Sequence, residues 1–260
     1  MLSQAEKGGV QNTIQNCVTV LQNDPILADS IRLNLLSERI DIVKPMGWQR
    51  SGPTLTDTDM MYILRRMEKY GLYSEKRVSA AIRIVANENH YHPIRDYLNE
   101  LKWDGTARIS RALHRFLGAA EDELTTEALK IFLLGAIKRV FHPGCKFEMM
   151  LCLVGGQGTG KSSFFRLLAI KDEWFSDDLR RLDDDNVFRK LQGHWIMEMS
   201  EMIATANAKS IEEIKSFLSK QKETYKIPYE THPADRLRQC VFAGTTNRQD
   251  FLPRDRTGNR

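Results

Sequence analysis

A glycine-rich segment at residues 155–162 constrains this chain more than any other feature of its sequence. It reads Gly-Gly-Gln-Gly-Thr-Gly-Lys-Ser and matches the phosphate-binding pattern G-x-x-x-x-G-K-[ST]. An apolar run at residues 149–154 precedes it and an apolar, helix-like stretch follows. Glycines let the backbone turn so that its N–H groups converge on a phosphate, and the helix N-terminus adds its dipole. The sequence therefore predicts a strand, a P-loop and a helix that together bind a nucleoside triphosphate.

Each side chain of this segment has a predicted task. We expect the Lys161 ammonium to reach the β- and γ-phosphates and the Ser162 hydroxyl to ligate Mg²⁺. An accidental glycine-rich turn is the alternative, and the strand before it and the helix after it disfavour that interpretation. The residues expected to contact ATP are Gly155, Gly156, Gln157, Gly158, Thr159, Gly160, Lys161, Ser162 and Ser163.

Composition narrows the class of protein without identifying a partner. The 260 residues are 42% apolar and carry a net charge of +4, spread evenly along the chain, which is compatible with nucleic-acid binding but does not argue for it. The four cysteines form no C-x-x-C pair, which favours free thiols in a reducing cytosol. No apolar stretch reaches the roughly 18 residues of a membrane span and the N-terminus has no apolar signal core, so we expect a cytoplasmic protein that does not cross a membrane.

The chain is predicted to contain two regions. Residues 1–145 form a mostly helical N-terminal region, with Thr56 as a helix N-cap and Gly71 and Gly118 as helix ends. Residues 146–260 form the P-loop ATPase core, and the Pro143-Gly144 pair marks the boundary. His90 and His92, with Glu88 nearby, might suggest a metal site. The sequence offers no third and fourth ligand at the spacing that a metal site requires, so a structural or surface role is preferred.

Two acidic residues lie at the end of the apolar run 194–199 and just after it, and they are candidates for the chemistry of ATP hydrolysis. A P-loop ATPase needs a carboxylate at the end of a neighbouring strand for the Mg²⁺ shell and a group that activates water. Glu198 lies 37 positions after Lys161 (198 − 161) and suits the first task, while Glu201 could be the base. P-loop ATPases usually carry these two acids as an adjacent Asp-Glu pair, which this sequence lacks. Which of Glu198 and Glu201 binds Mg²⁺ and which activates water therefore stays open.

Residues near the C-terminus complete the set of candidate catalytic residues. Asn247 follows a second buried strand and could hold the attacking water, since an amide both donates and accepts hydrogen bonds. Arg254, Arg256 and Arg260 are candidates for an arginine finger that reaches a neighbouring subunit.

Five stretches together resemble the virulence-associated protein E family. They are residues 96–108 (DYLNELKWDGTAR), 155–162 (GGQGTGKS), 195–201 (WIMEMSE), 228–229 (PY) and 244–260 (GTTNRQDFLPRDRTGNR). That family occurs in prophages and phage satellites and is similar to superfamily 3 helicases, a branch of the AAA+ ATPases. By position, Lys161 and Ser162 correspond to Walker A, Glu198 and Glu201 to Walker B-like acids, Asn247 to sensor 1 and Arg260 to the first arginine of a T-G-N-R-R element.

The resemblance implies an α/β fold, with an N-terminal helical region and a C-terminal AAA+ sheet. It further implies hydrolysis of Mg²⁺-ATP, a hexameric ring of identical subunits and action on single-stranded DNA, often beside a primase. Two departures stand out: Lys226-Ile227 precedes Pro228-Tyr229 where the family commonly has arginine, and the chain stops at Arg260. From the second departure we expect a core that is truncated at its C-terminal end, with hydrolysis in question.

Three functions remain open at this point. The first is an ATP-dependent, helicase-like DNA translocase of a mobile element, with Lys220, Lys222 and Lys226 facing DNA, although a solvated helix end explains these lysines equally well. The second is a truncated ATP-binding module that docks on a replication partner without turnover. The third, favoured least, is a P-loop kinase, because the P-loop alone does not separate kinases from motor ATPases.

Overall fold

The chain folds into two compact units. A computed structural model describes residues 2–4, 8–179, 182, 187–200, 208–225 and 234–248. The first unit is Met1–Asn99 and the second is Glu100–Arg260. This division lies earlier in the chain than the boundary predicted at Pro143-Gly144.

The first unit combines helices with a short antiparallel hairpin. Its core brings together buried side chains of the first and third helices and of the hairpin, among them Leu21, Ile31 and Ile82. The hairpin pairs Ile31 with Ile42 and Asn34 with Arg39. Its elements are α1 (Ile14–Asn23), β1 (Ile31–Asn34), β2 (Arg39–Ile42), α2 (Asp57–Met67), α3 (Glu75–Glu88) and α4 (Pro93–Glu100), which begins in this unit.

Local sequence signals explain where these helices begin and end. Thr56 caps α2 in a reciprocal capping box with Asp59, and Gly71 adopts φ 74° just after the short 3₁₀ turn that follows α2. Both features confirm the predictions made for those residues. His92, one of the two histidines considered for a metal, instead accepts a hydrogen bond from the Arg95 N–H in the first turn of α4 (3.3 Å).

A buried carboxylate ties α1 to α2 in the first unit. Asp24 is 2% exposed and accepts hydrogen bonds from Arg66 Nε (2.5 Å) and the Tyr70 hydroxyl (2.7 Å). Burial acts to raise the pKa of Asp24, but these two donors and the N–H groups of Ile26 and Leu27 outweigh it and lower the pKa to about 2. The charged form of Asp24 therefore stabilises the folded unit.

We expect acid to remove this contribution within a defined pH range. The folded pKa lies below the unfolded value of roughly 3.9, so the stabilisation is complete above about pH 4 and is lost as the pH falls to about 2. Asp24→Asn should lower the free energy of unfolding by about 2 kcal/mol at pH 7 and by much less at pH 2. Urea unfolding followed by circular dichroism at both pH values measures the difference.

The matched control is Asp29→Asn. The Asp29 side chain is 83% exposed and forms an ion pair with the exposed Lys44. Exposed ion pairs of this kind contribute little to the free energy of unfolding. An equal loss of stability for Asp24→Asn at pH 2 and pH 7 would contradict the linkage to ionisation.

The second unit is built on a parallel four-stranded sheet. Its spatial order is β3-β8-β5-β4, and all three pairings are parallel. The elements are α5 (Ile109–Leu117), α6 (Glu123–Phe141), β3 (Met150–Val154), α7 (Lys161–Leu168), β4 (Phe175–Ser176), α8 (Val187–Leu191), β5 (Ile196–Ser200), α9 (Ala208–Ser219), β6 (Lys222–Tyr225), β7 (Ala234–Leu237) and β8 (Val241–Thr246). A parallel sheet with helices between its strands confirms the predicted α/β class.

Side-chain alternation along β5 distributes the helices over both faces of the sheet. Met197 and Met199 belong to a buried cluster with Ile214 and Phe217 of α9. Glu198, between the two methionines, points to the opposite face and reaches the first turn of α7. The sheet is therefore covered on one face by α9 with α8 and on the other by α7.

Helix α6 packs on the same sheet and explains why the compact unit begins before Pro143-Gly144. Arg139 is fully buried and donates to the carbonyl oxygens of Cys240 (2.8 Å) and Phe147 (2.7 Å), in the segments that lead into β8 and β3. Trp195 donates its indole N–H to Ala136 O (3.0 Å). Because these contacts hold α6 to the sheet, the Pro143-Gly144 turn lies inside the second unit and ends a helix of it.

Candidate nucleotide-binding site

The glycine-rich segment connects the carboxyl end of β3 to the start of α7. Gly158 and Gly160 have φ values of 79° and 85°, in the left-handed region where a side chain is strained. An added Cβ at Gly158 would meet nothing within 4 Å, so the backbone conformation and not lack of space requires glycine there. The loop ends at Gly160, which is the N-cap of α7, and Lys161 is the first residue of the helix.

The Lys161 ammonium folds back onto this loop. It donates to the carbonyl oxygens of Gly155 (2.8 Å) and Gly156 (2.7 Å) and to Asn247 Oδ1 (3.0 Å). Lys161 and Asn247 are 86 positions apart in the chain and meet because β3 and β8 are parallel neighbours. A cation and an amide therefore lie together beside the loop.

A buried carboxylate lies beside the first turn of α7. Glu198 is 0% exposed, and its Oε1 accepts hydrogen bonds from Ser162 Oγ (2.7 Å) and Thr245 Oγ1 (2.5 Å). The two hydroxyls come from different elements, the first turn of α7 and the end of β8. The three residues join the loop helix to two adjacent strands.

The donor set of this cluster suits a divalent cation. Glu198 Oε2 is buried and has no hydrogen-bond partner within the described ranges, which costs free energy unless a further group compensates it. Carboxylate and hydroxyl oxygens are ligands that Mg²⁺ accepts, usually with water and substrate phosphates completing its shell. The residues present therefore fit a magnesium ion.

A cleft of about 570 Å³ opens over the loop. That volume lies in the range of roughly 300–1,000 Å³ typical of small-molecule sites. The cleft is at the carboxyl edge of the parallel sheet, where ligands bind in open α/β sheets. Its lining comprises residues 157–163 of the loop and α7, Ser200 of β5 and residues 245–248.

The structure brings together four of the residues singled out for chemistry in the sequence. Lys161, Ser162, Glu198 and Asn247 all lie at this edge of the sheet. Glu201 and the candidate arginines Arg254, Arg256 and Arg260 lie outside the described residues, as do Lys226, Pro228 and Tyr229.

Thr245 and Ser200 were missed by sequence reasoning. Thr245 follows an apolar run at residues 240–244, and the change from apolar to hydroxyl residues at the end of a predicted strand is the signal that could have revealed it. Ser200 ends β5 in the same way and faces Thr245 in the pairing register. Neither position resembles a motif by itself.

Two lysines considered for DNA contact already have partners in the second unit. Lys222 bonds to the Asp235 carboxylate across the β6–β7 hairpin. Lys220 lies 3.7 Å from Glu223 and over the Phe188 ring. A DNA phosphate would have to compete with these acids for either ammonium.

The cysteine thiols are the next candidates for reactive groups. Burial raises the pKa of the Cys152 thiol in β3 to about 12, so it stays protonated at neutral pH and is a poor nucleophile. Cys152 and the other three cysteines are free, as predicted. Across the described ranges, no helix combines the length and the apolar character that a bilayer crossing requires.

Comparison with known proteins supports the resemblance seen in the sequence. The family model described as virulence-associated protein E-like domain matches residues 98–260, which include the whole of the second unit. The comparison with curated proteins found no match.

Solved structures of the NrS-1 C-terminal region share the fold. One apo structure of residues 305–718 aligns with a TM-score of 0.58 at 15% identity, covering 96% of this chain and 61% of that one. A second, the A form of the same region, gives 0.56 at 14% identity and covers 96% and 60%. At this identity the likeness shows the fold alone, and the present chain spans about three fifths of the length of those structures.

Proposed function

The chain belongs to the family of virulence-associated protein E-like domains, and on this premise we propose that it is an ATPase that drives a helicase-like movement along DNA during replication of a mobile genetic element. The observation that carries the proposal is the meeting of Lys161, Ser162, Glu198 and Asn247 at one edge of a parallel sheet. A glycine loop, a lysine and a hydroxyl at a helix N-terminus, and an acid on a neighbouring strand are the parts that a P-loop ATPase needs.

Each of these residues has a proposed role in ATP hydrolysis that follows from its chemistry. The loop and the N-terminus of α7 bind phosphate oxygens, and Lys161 exchanges its carbonyl partners for the β- and γ-phosphates. Ser162 and Glu198 hold Mg²⁺, whose charge offsets that of the phosphates. Asn247, 3.0 Å from the Lys161 ammonium, lies where an amide can orient water against the γ-phosphate.

Assembly and DNA contact are further parts of the proposal. The family resemblance favours a hexameric ring in which Arg260 of one subunit reaches the nucleotide of the next. Single-stranded DNA is the proposed substrate, and a primase is a proposed partner. The DNA-facing segment is proposed to be the hairpin of β6 and β7 with the residues that flank β6 in the sequence, and its candidate DNA contacts are Lys220, Lys222 and Lys226.

The direct test measures phosphate release by the purified chain with ATP and Mg²⁺, in the presence and absence of single-stranded DNA. DNA-stimulated turnover supports a motor. Nucleotide binding without turnover at any protein concentration would favour the alternative of an ATP-binding module that docks on a replication partner. Phosphoryl transfer to a small acceptor without DNA would favour a kinase.

A further inference from the structure

Thr245 lines the cleft, but the proposed function assigns it no role. Its side chain is 7% exposed and its hydroxyl donates to Glu198 Oε1 at 2.5 Å, across 47 positions of sequence. Ser162 donates to the same oxygen at 2.7 Å. Two donors occupy Oε1, and Oε2 has no hydrogen-bond partner among the residues that the structure describes.

This arrangement restricts how the carboxylate can turn. Rotation about the last side-chain bond would exchange the two oxygens, and it would break two hydrogen bonds to a charged group at once, each of which is worth more than a neutral one. Ser162 can leave Glu198 or share its hydroxyl when α7 meets a nucleotide, because it lies on the first turn of the helix beside the loop. Thr245 is part of the central strand β8, paired on both sides, and so is the donor that stays in place.

We propose that Thr245 is a positioning residue that holds Glu198 by its Oε1 and thereby keeps Oε2 directed to the divalent cation of the nucleotide site. The inference rests on the proposed function, because it concerns the cation bound with the nucleotide. Thr245 acts through Glu198 and touches neither the nucleotide nor the cation. Its expected effect is on the Mg²⁺ requirement and not on the binding of the phosphates by the loop.

The neighbouring threonine supplies a matched control. Thr246 also lines the cleft and is buried, at 4% exposed, but strand alternation turns its side chain away from Glu198, and its hydroxyl accepts a hydrogen bond from the Arg248 N–H at 3.1 Å. Thr246→Val and Thr245→Val remove the same hydroxyl from adjacent positions of β8. Only the second removes a hydrogen bond to Glu198.

The experiment titrates a fluorescent, non-hydrolysable ATP analogue against the full chain at increasing Mg²⁺. Thr245→Val should raise the Mg²⁺ concentration for half-maximal binding by about tenfold, as loss of one hydrogen bond to a charged group implies. Analogue affinity without Mg²⁺ should stay within about twofold of the unsubstituted chain, because the loop is untouched. Thr245→Ser and Thr246→Val should both keep the original Mg²⁺ dependence, and Thr245→Ala replaces Thr245→Val if the latter does not fold.

A second arm shows whether Thr245 acts through Glu198. In a Glu198→Gln background the carboxylate charge is already gone, so Thr245→Val should cause no further change in Mg²⁺ dependence. An unchanged Mg²⁺ dependence in folded Thr245→Val or Thr245→Ala, or an equal shift in Thr246→Val, overturns the inference alone. No analogue binding by the unsubstituted chain overturns the proposed function together with it.

Discussion

Lys161→Ala is expected to lower ATP turnover by about a hundredfold or more. The Lys161 ammonium is the one cation that the structure places on the glycine loop within the described residues, held by Gly155 O, Gly156 O and Asn247 Oδ1. In the transition state of phosphoryl transfer it would stabilise charge on the phosphate oxygens, and removing one such preorganised donor typically costs about 10²–10³ in rate. Phosphate release at saturating ATP and DNA measures the effect.

The fold should tolerate this substitution. Among the described residues, the Lys161 ammonium bonds to the loop and to Asn247 alone, so the thermal unfolding midpoint should change little. Lys146→Ala is the control, because that side chain is 66% exposed, lies before β3 at the end of the strand opposite the loop, and forms an ion pair with Glu148. Turnover by Lys161→Ala within threefold of the unsubstituted chain would mean that the loop does not bind a reacting phosphate.

Glu198→Gln is expected to abolish most turnover while leaving the fold intact. The amide has the shape of the carboxylate and its oxygen can still accept from Ser162 and Thr245, but the negative charge that binds a cation is gone. We expect turnover to fall by about a hundredfold or more and the Mg²⁺ needed for nucleotide binding to rise. Phosphate release and Mg²⁺ titration on the same samples give both quantities.

Glu201→Gln is the informative companion, since the roles of the two acids stay open. If Glu198 holds the cation and Glu201 activates water, Glu201→Gln should lose turnover and keep the original Mg²⁺ dependence. Normal turnover in Glu198→Gln, with turnover lost in Glu201→Gln, would assign the whole of the acid chemistry to Glu201. Glu198 would then be a structural acid that only links α7 to the sheet.

Helix boundaries were the most predictable part of the fold. Thr56 caps α2, Gly71 ends the 3₁₀ turn after α2 and Gly118 ends α5, all as predicted, because residues that start or stop a helix act on their immediate neighbours in the chain. The hairpin of β1 and β2 escaped prediction. Its strands are only four residues long, and Glu38 takes a left-handed φ of 53° in the turn, where a glycine or asparagine would have signalled it.

Residues that interrupt a helix locally, such as Pro143-Gly144, did not predict how the chain divides into compact units. Pro143-Gly144 ends α6, as its composition predicts, yet the helix belongs with the sheet that follows it. The deciding contacts are those of buried Arg139 with the segments that lead into β3 and β8, and of Trp195 with Ala136. Arg139 is 101 positions from Cys240 in the sequence. The residues around Arg139 and those around Cys240 carry no local pattern that predicts this hydrogen bond.

The sequence by itself determined the glycine loop, the lysine and serine that open α7, and the acid on an apolar strand. These features follow from neighbours along the chain, because backbone conformation, helix start and strand burial are local properties. Only the tertiary structure decided that Thr245 and Ser162 share one oxygen of Glu198 and that Asn247 reaches Lys161. The strand order β3-β8-β5 makes those contacts, since parallel pairing gathers the carboxyl ends of strands that are far apart in sequence at one edge of the sheet.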